Sequence, residues 1–138
     1  MTINNKPPGI VSWAIIVSAA SLLVTLPHAF EDFVYGVPQQ FGLSVMAAGF
    51  LVAIGYLLQL IGMLLALHGR QTGLVLLLLI GLGWTVGAMM DHLPEILQAG
   101  PYRQGTISKV MELLIIQIGL VLVVLSAAAI RQLRRRNL

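Results

Sequence analysis

The chain contains no cysteine, which excludes disulfides, thiolate metal sites and covalent haem attachment through paired thiols. Charge is scarce as well. Only 9% of the 138 residues are Asp, Glu, Lys or Arg, whereas a soluble domain carries about 25%. No glycine-rich loop suited to a phosphate is present. Ser44, His28 and Asp32 compose a catalytic triad only on paper, because nothing in their spacing singles them out.

What the chain has in excess is hydrocarbon: 58% of its residues are hydrophobic and its mean hydropathy is +0.93. A soluble globule of this size leaves too much of its surface in water to hide that share. Lipid is therefore the solvent. Unpaired backbone groups cost several kcal/mol each in hydrocarbon, so the spanning elements must be helices. Four apolar stretches qualify: Ile10–Leu26, Leu43–Leu67, Gly73–Met90 and Ile107–Ile130. Even the shortest, at 1.5 Å per residue, reaches about 26 Å, close to the roughly 30 Å of a bilayer core. The expected fold is an all-α integral membrane protein, one four-helix transmembrane domain covering residues 1–138. Met1–Gly9 is polar, and no small-residue cleavage site follows the first apolar run, so that run reads as a retained helix.

Orientation follows from the basic residues. Lys6, Arg70 and the tail Arg131, Arg134, Arg135 and Arg136 fall on one side; Arg103 and Lys109 share the other with Glu31, Asp32, Asp91 and Glu95. Cytoplasmic loops retain the excess of Lys and Arg, which puts both termini inside, with a prokaryotic cytoplasmic membrane as the expected residence. The net charge of +3 then reflects topology and contact of the arginine tail with anionic headgroups. A nucleic-acid partner is not indicated.

The two halves resemble each other. Shifting the chain by 64 residues aligns 7–70 with 71–134, and twelve positions become identical, among them His28/His92, Glu31/Glu95, Gly36/Gly100, Gln40/Gln104 and Ser44/Ser108. Chance matches in a leucine-rich chain would be leucines, yet only one is. Two spans per unit make this a parallel repeat, with a pseudo-two-fold axis along the membrane normal. Gly83–Gly87, Gly49–Ala53 and Ala14–Ser18 offer small-residue spacings for close helix approach, expected inside the bundle.

The repeated polar motif is His28-x-x-Glu31-Asp32, echoed by Asp91-His92-x-x-Glu95. A spacing of three puts imidazole and carboxylate on one helical face. Pro27 and Pro94 lie beside these residues, and a proline fits best in a first helical turn. A break near each proline is therefore expected, followed by a short interfacial helix after the first and third spans. If the two motifs converge, the imidazole and carboxylate donors suit zinc, manganese or iron. Haem b between His28 and His92 is the other cofactor the motif allows. Met89 and Met90 have no sulfur counterpart in the first half, which argues against copper. Simple helix-end polarity, or pH sensing by the histidine pair, uses the same residues without a cofactor.

Three intramembrane polar residues remain. Glu112 lies five residues into the fourth stretch and is expected to reach the headgroups, to pair with Lys109, or to serve function as intramembrane carboxylates do. Gln59 and Gln117 are expected to bond between helices. His68 fits a helix C-cap, Trp13, Tyr35 and Tyr102 fit interfacial anchoring, and Trp84 fits packing. The first apolar run lacks the mid-helix carboxylate of small four-helix antiporters. The sequence therefore favours an accessory or assembly subunit of a larger membrane complex, partnered by another membrane protein or a second copy. The alternatives are a metal- or haem-binding bundle and a small channel or transporter. An enzyme is the least supported reading.

Overall fold

The computed structural model describes residues 9–102 and 104–136, the last of these by its backbone only. Four long helices carry the fold: α1 (Gly9–Val34), α3 (Val45–Leu67), α4 (Gln71–Ile96) and α5 (Thr106–Arg136). A one-turn helix, α2 (Val37–Gln40), follows α1. All four long helices are apolar and long enough to cross a bilayer, and no strand occurs among the described residues. The protein is an all-α integral membrane bundle.

Short connections make consecutive long helices antiparallel. α1 and α4 each pack against both α3 and α5, so α1 and α4 lie on a diagonal of the bundle. The turn between α3 and α4 is a Schellman motif. His68 is the C-cap, Gly69 takes φ 71°, and the Gly69 and Arg70 amides return to the Ala66 and Leu65 carbonyls. His68 thus caps a helix as its sequence position implies, with Nδ1 2.7 Å from the Leu64 oxygen. Ser44 caps the other end of α3, its hydroxyl accepting from Ala47 N at 3.1 Å.

Three expectations are corrected. Neither proline breaks its helix: α1 runs through Pro27 and α4 through Pro94, carrying both polar motifs inside the long helices. Each ring forfeits one backbone bond, but both prolines face outward and clash with no neighbouring helix. Buried His28 and His92 just beyond hold those turns against the bundle. A short helix does follow the first span, as α2, whereas residues 97–105 form turns and bends where described. Finally, Gly83 and Gly87 face outward with open space around them. The close approaches are made elsewhere, by Gly73 against the backbone of Gly62, Leu65 and Ala66, and by Gly81 against Gly119. Ala14 and Ser18 do lie inside, fully buried.

The interior has two layers. Around the α3–α4 turn it is apolar, with Val11, Ala14, Leu74, Leu77 and Leu122 at 0–1% exposure. Above it sits a polar clamp. Gln59 is fully buried on α3; its amide donates to Ser18 O (2.8 Å), Ser18 Oγ (3.1 Å) and Ser21 Oγ (2.9 Å) on α1. Trp84 Nε1 on α4 donates to Gln59 Oε1 at 3.2 Å. One side chain therefore ties three helices in a medium where a stranded donor finds no water. Gln59→Leu is expected to destabilise the fold by about 1–3 kcal/mol, the cost of leaving buried partners unmet, as a lower midpoint in denaturant titration of the detergent-solubilised protein. Gln117, the other intramembrane glutamine singled out in the sequence, is exposed on α5 and takes no part in the clamp, contrary to its expected bond between helices. Its side of the helix faces lipid.

Candidate metal centre

Three helices put the site together. On α1, His28 and Asp32 are one turn apart and share a face, with Nε2 3.2 Å from Asp32 Oδ2. On the diagonal helix α4, Asp91 and His92 occupy the same level, and the two imidazole rings meet edge to face at 5.0 Å. α5 supplies Glu112, which is completely buried. His28 Nε2 and His92 Nε2 both contact the same Glu112 oxygen, Oε1, the latter at 2.7 Å. His92 Nε2 is also 3.0 Å from Asp91 Oδ2 and 3.6 Å from Asp32 Oδ1. Donor atoms of His28, Asp32, His92 and Glu112 all lie within 4.8 Å of one another.

The imidazole nitrogens touch Glu112 at ion-pair range, both facing one oxygen of a buried carboxylate. Imidazoles protonated on Nε2 would bind that carboxylate as a charge-paired cluster. With Nε2 unprotonated, nitrogen and oxygen lone pairs face one another, and a single cation among the four donors removes that conflict. Two imidazoles and two carboxylates form a donor set that fits zinc, manganese or iron.

Partners around these groups fix their orientation. Tyr102, buried in the α4–α5 connection, places its hydroxyl 2.8 Å from His92 Nδ1. Burial pushes the Tyr102 hydroxyl above its ordinary pKa, and the nearby carboxylates of Glu112 and Glu95 push it the same way, so it stays a neutral phenol. With His92 Nε2 given to a metal, Nδ1 carries the proton and donates to the phenol oxygen. Gln104 donates to Asp32 Oδ1 at 3.3 Å and accepts from Ser108 Oγ at 2.8 Å. Tyr102→Phe is expected to weaken metal affinity by roughly 10-fold or more, as loss of such outer partners does, read by competition with a coloured chelator.

The residues singled out in the sequence separate into two groups. His28, Asp32, Asp91 and His92 converge, and Glu112 joins them. It neither reaches the headgroups nor pairs with Lys109, whose ammonium instead donates to the Ile96 carbonyl at the end of α4 (3.2 Å). Glu31 and Glu95, the repeated glutamates, stay outside the donor set; Glu31 Oε2 lies 3.7 Å from His28 Nδ1, on the ring edge away from the centre. Arg131, Arg134 and Arg135 are exposed on the last turns of α5, while Lys6, Arg103 and the Arg136 side chain lie outside the described residues. Sequence reasoning missed Tyr102, taken for an interfacial anchor, and gave no role to Gln104 and Ser108. Their signal was the retention of Gln and Ser in register between the halves.

The chain matches no family model, no curated protein and no solved structure.

Proposed function

We propose that this is a metal-binding membrane protein that holds one divalent transition-metal ion through His28, Asp32, His92 and Glu112. The observation that carries the reading is the convergence of four imidazole and carboxylate donors within 4.8 Å, with both Nε2 atoms aimed at one oxygen of a fully buried carboxylate. Zinc fits the four-donor set best, since it accepts imidazole and carboxylate alike without a geometric preference of its own. A haem between the histidines fits poorly. The rings touch edge to face at 5.0 Å, and carboxylates occupy the space a macrocycle would need. A through-pore fits poorly as well, because tightly packed Val11, Leu74, Leu77 and Leu122 fill the interior at the other end.

The positive-inside pattern supports cytoplasmic termini and a centre near the outer leaflet. Internal duplication is supported by the in-register histidines, which sit on the diagonal pair α1 and α4 and meet near the bundle axis. On this reading the halves diverged at Ala48/Glu112, where only the second keeps a carboxylate. The outward helix faces are apolar, as lipid requires, so they do not favour a protein partner over lipid.

Protein purified in mild detergent and loaded with zinc is expected to retain about one equivalent after desalting, and His28→Ala to retain none. Wild-type protein that holds no zinc, iron or manganese after loading overturns the proposal.

A further inference from the structure

A cavity of about 320 Å³ opens beside the centre, between α1, α2, α3 and α4. One wall is the cluster itself: His28, Asp32, Asp91 and His92 line it. The remaining walls are apolar, and Phe33, Phe41 and Trp84 present aromatic rings. Of the lining residues, Phe41, Leu43, Leu51 and Met90 are exposed where lipid would lie, and Gly87, also in the lining, has no side chain to close a gap. An apolar chamber with convergent polar groups at one wall is the usual form of a small-molecule site, and this volume lies at the lower end of such sites.

We infer that the cavity binds an uncharged, membrane-soluble ring compound bearing carbonyl or hydroxyl oxygens on its ring, a quinone or quinol, with its head against the histidine–carboxylate wall and its tail leaving between Leu51 and Met90. Charge selects the head. Among the described residues no Lys or Arg lines the chamber to draw in a phosphate or carboxylate headgroup. A divalent ion in the proposed centre neutralises Asp32 and Glu112, so a cationic head gains little attraction from them; for charge at this wall the inference rests on that centre. A neutral oxygen, by contrast, is welcome as a hydrogen-bond acceptor or donor. The aromatic walls suit a planar ring, since stacked and edge contacts add to the burial of apolar area. The dimensions suit one substituted ring. Access runs from the bilayer, where such compounds dissolve.

Trp84 makes the site visible. Its indole is held by Gln59 and stacks near Tyr56 with centroids 5.2 Å apart, and a quinone beside it would quench its fluorescence. The experiment uses the full chain in nanodiscs in a Trp13→Phe background, which leaves Trp84 as the one remaining indole of the two in the sequence. Decylubiquinone is titrated into zinc-loaded samples. Saturable quenching is expected, and Gly87→Leu, which fills that gap without touching a ligand, should weaken it by at least about tenfold. Gly83→Leu, one turn earlier on the same exposed strip and outside the cavity lining, should leave it unchanged. Linear quenching without saturation in the wild type, or equal affinity in Gly87→Leu, overturns the inference. Zinc is measured on the same samples. Protein that holds zinc but does not saturate removes the quinone site alone; protein that saturates without holding zinc supports the quinone site and overturns the metal centre.

Discussion

Glu112→Gln is expected to abolish retention of the metal ion while leaving the bundle folded. The substitution keeps the shape of a completely buried side chain and removes the negative charge whose single oxygen faces both imidazoles. A neutral amide oxygen is a far weaker ligand, and the amide nitrogen is no ligand at all. Loss of a partner one shell out costs roughly 10–100-fold in affinity, and loss of a donor in the centre should exceed that range. The folded protein without metal is expected to tolerate the change, because burying an ionised carboxylate is costly and the amide keeps its shape. Chelator competition measures the first effect and thermal unfolding of metal-stripped protein the second. Glu112→Gln protein that binds zinc as tightly as wild type would remove Glu112 from the centre. Stripped protein markedly destabilised by the change would instead assign Glu112 to a structural ion pair with the histidines.

The second large effect concerns backbone contact. Gly73→Ala is expected to cost about 3 kcal/mol or more, at the severe end of single substitutions. A Cβ at this position would stand 2.3 Å from Ala66 N, 2.6 Å from Gly62 O and 2.8 Å from Leu65 C. All three are backbone atoms, so no rotamer change relieves the clash, and α3 and α4 must separate beside their shared turn. Gly83→Ala is the matched control. Gly83 is helical and exposed with nothing within 4 Å, so alanine there should be neutral or slightly stabilising through its better helix propensity. Comparable losses in both variants would mean that α3 and α4 do not meet at Gly73.

These two residues show where sequence reasoning reached and where it stopped. The four spans were legible because hydropathy reports the solvent directly, and each apolar stretch lies within one of the four helices, apart from the first residues of the second. Helix ends were less legible. α1 continues eight residues past Leu26 and α4 six past Met90, because backbone bonding continues after lipid contact ends. The proline rule failed for a related reason: tertiary packing of His28 and His92 keeps the helices going where local preference favours a stop.

Within the site, the histidine pair was legible from repetition, but repetition also promoted the wrong carboxylates. Glu31 and Glu95 recur, yet a step of three from the histidine leaves them off the centre, while Asp32, one residue on, shares the His28 face. Glu112 stood out as an intramembrane charge. Its link to the histidines needed the packing of α5 between α1 and α4, which no local pattern encodes. The Gly-x-x-x-Gly spacing misled in the same way: it records that a helix has a smooth strip, but not which side another helix chooses. Gly73 bears no such signature, lying at the third position of its helix, and its importance comes from the tightness of the turn before it.

X-ray absorption at the zinc edge of the reconstituted protein tests the account most directly, since it reports the donors around the ion itself. A single shell of nitrogen and oxygen neighbours at about 2.0–2.2 Å, with the outer scattering of two imidazoles that falls to one in His92→Ala, is the expected result. A sulfur neighbour from Met89 or Met90, a single imidazole in the wild type, or a spectrum unchanged in His92→Ala would contradict a centre built by α1, α4 and α5.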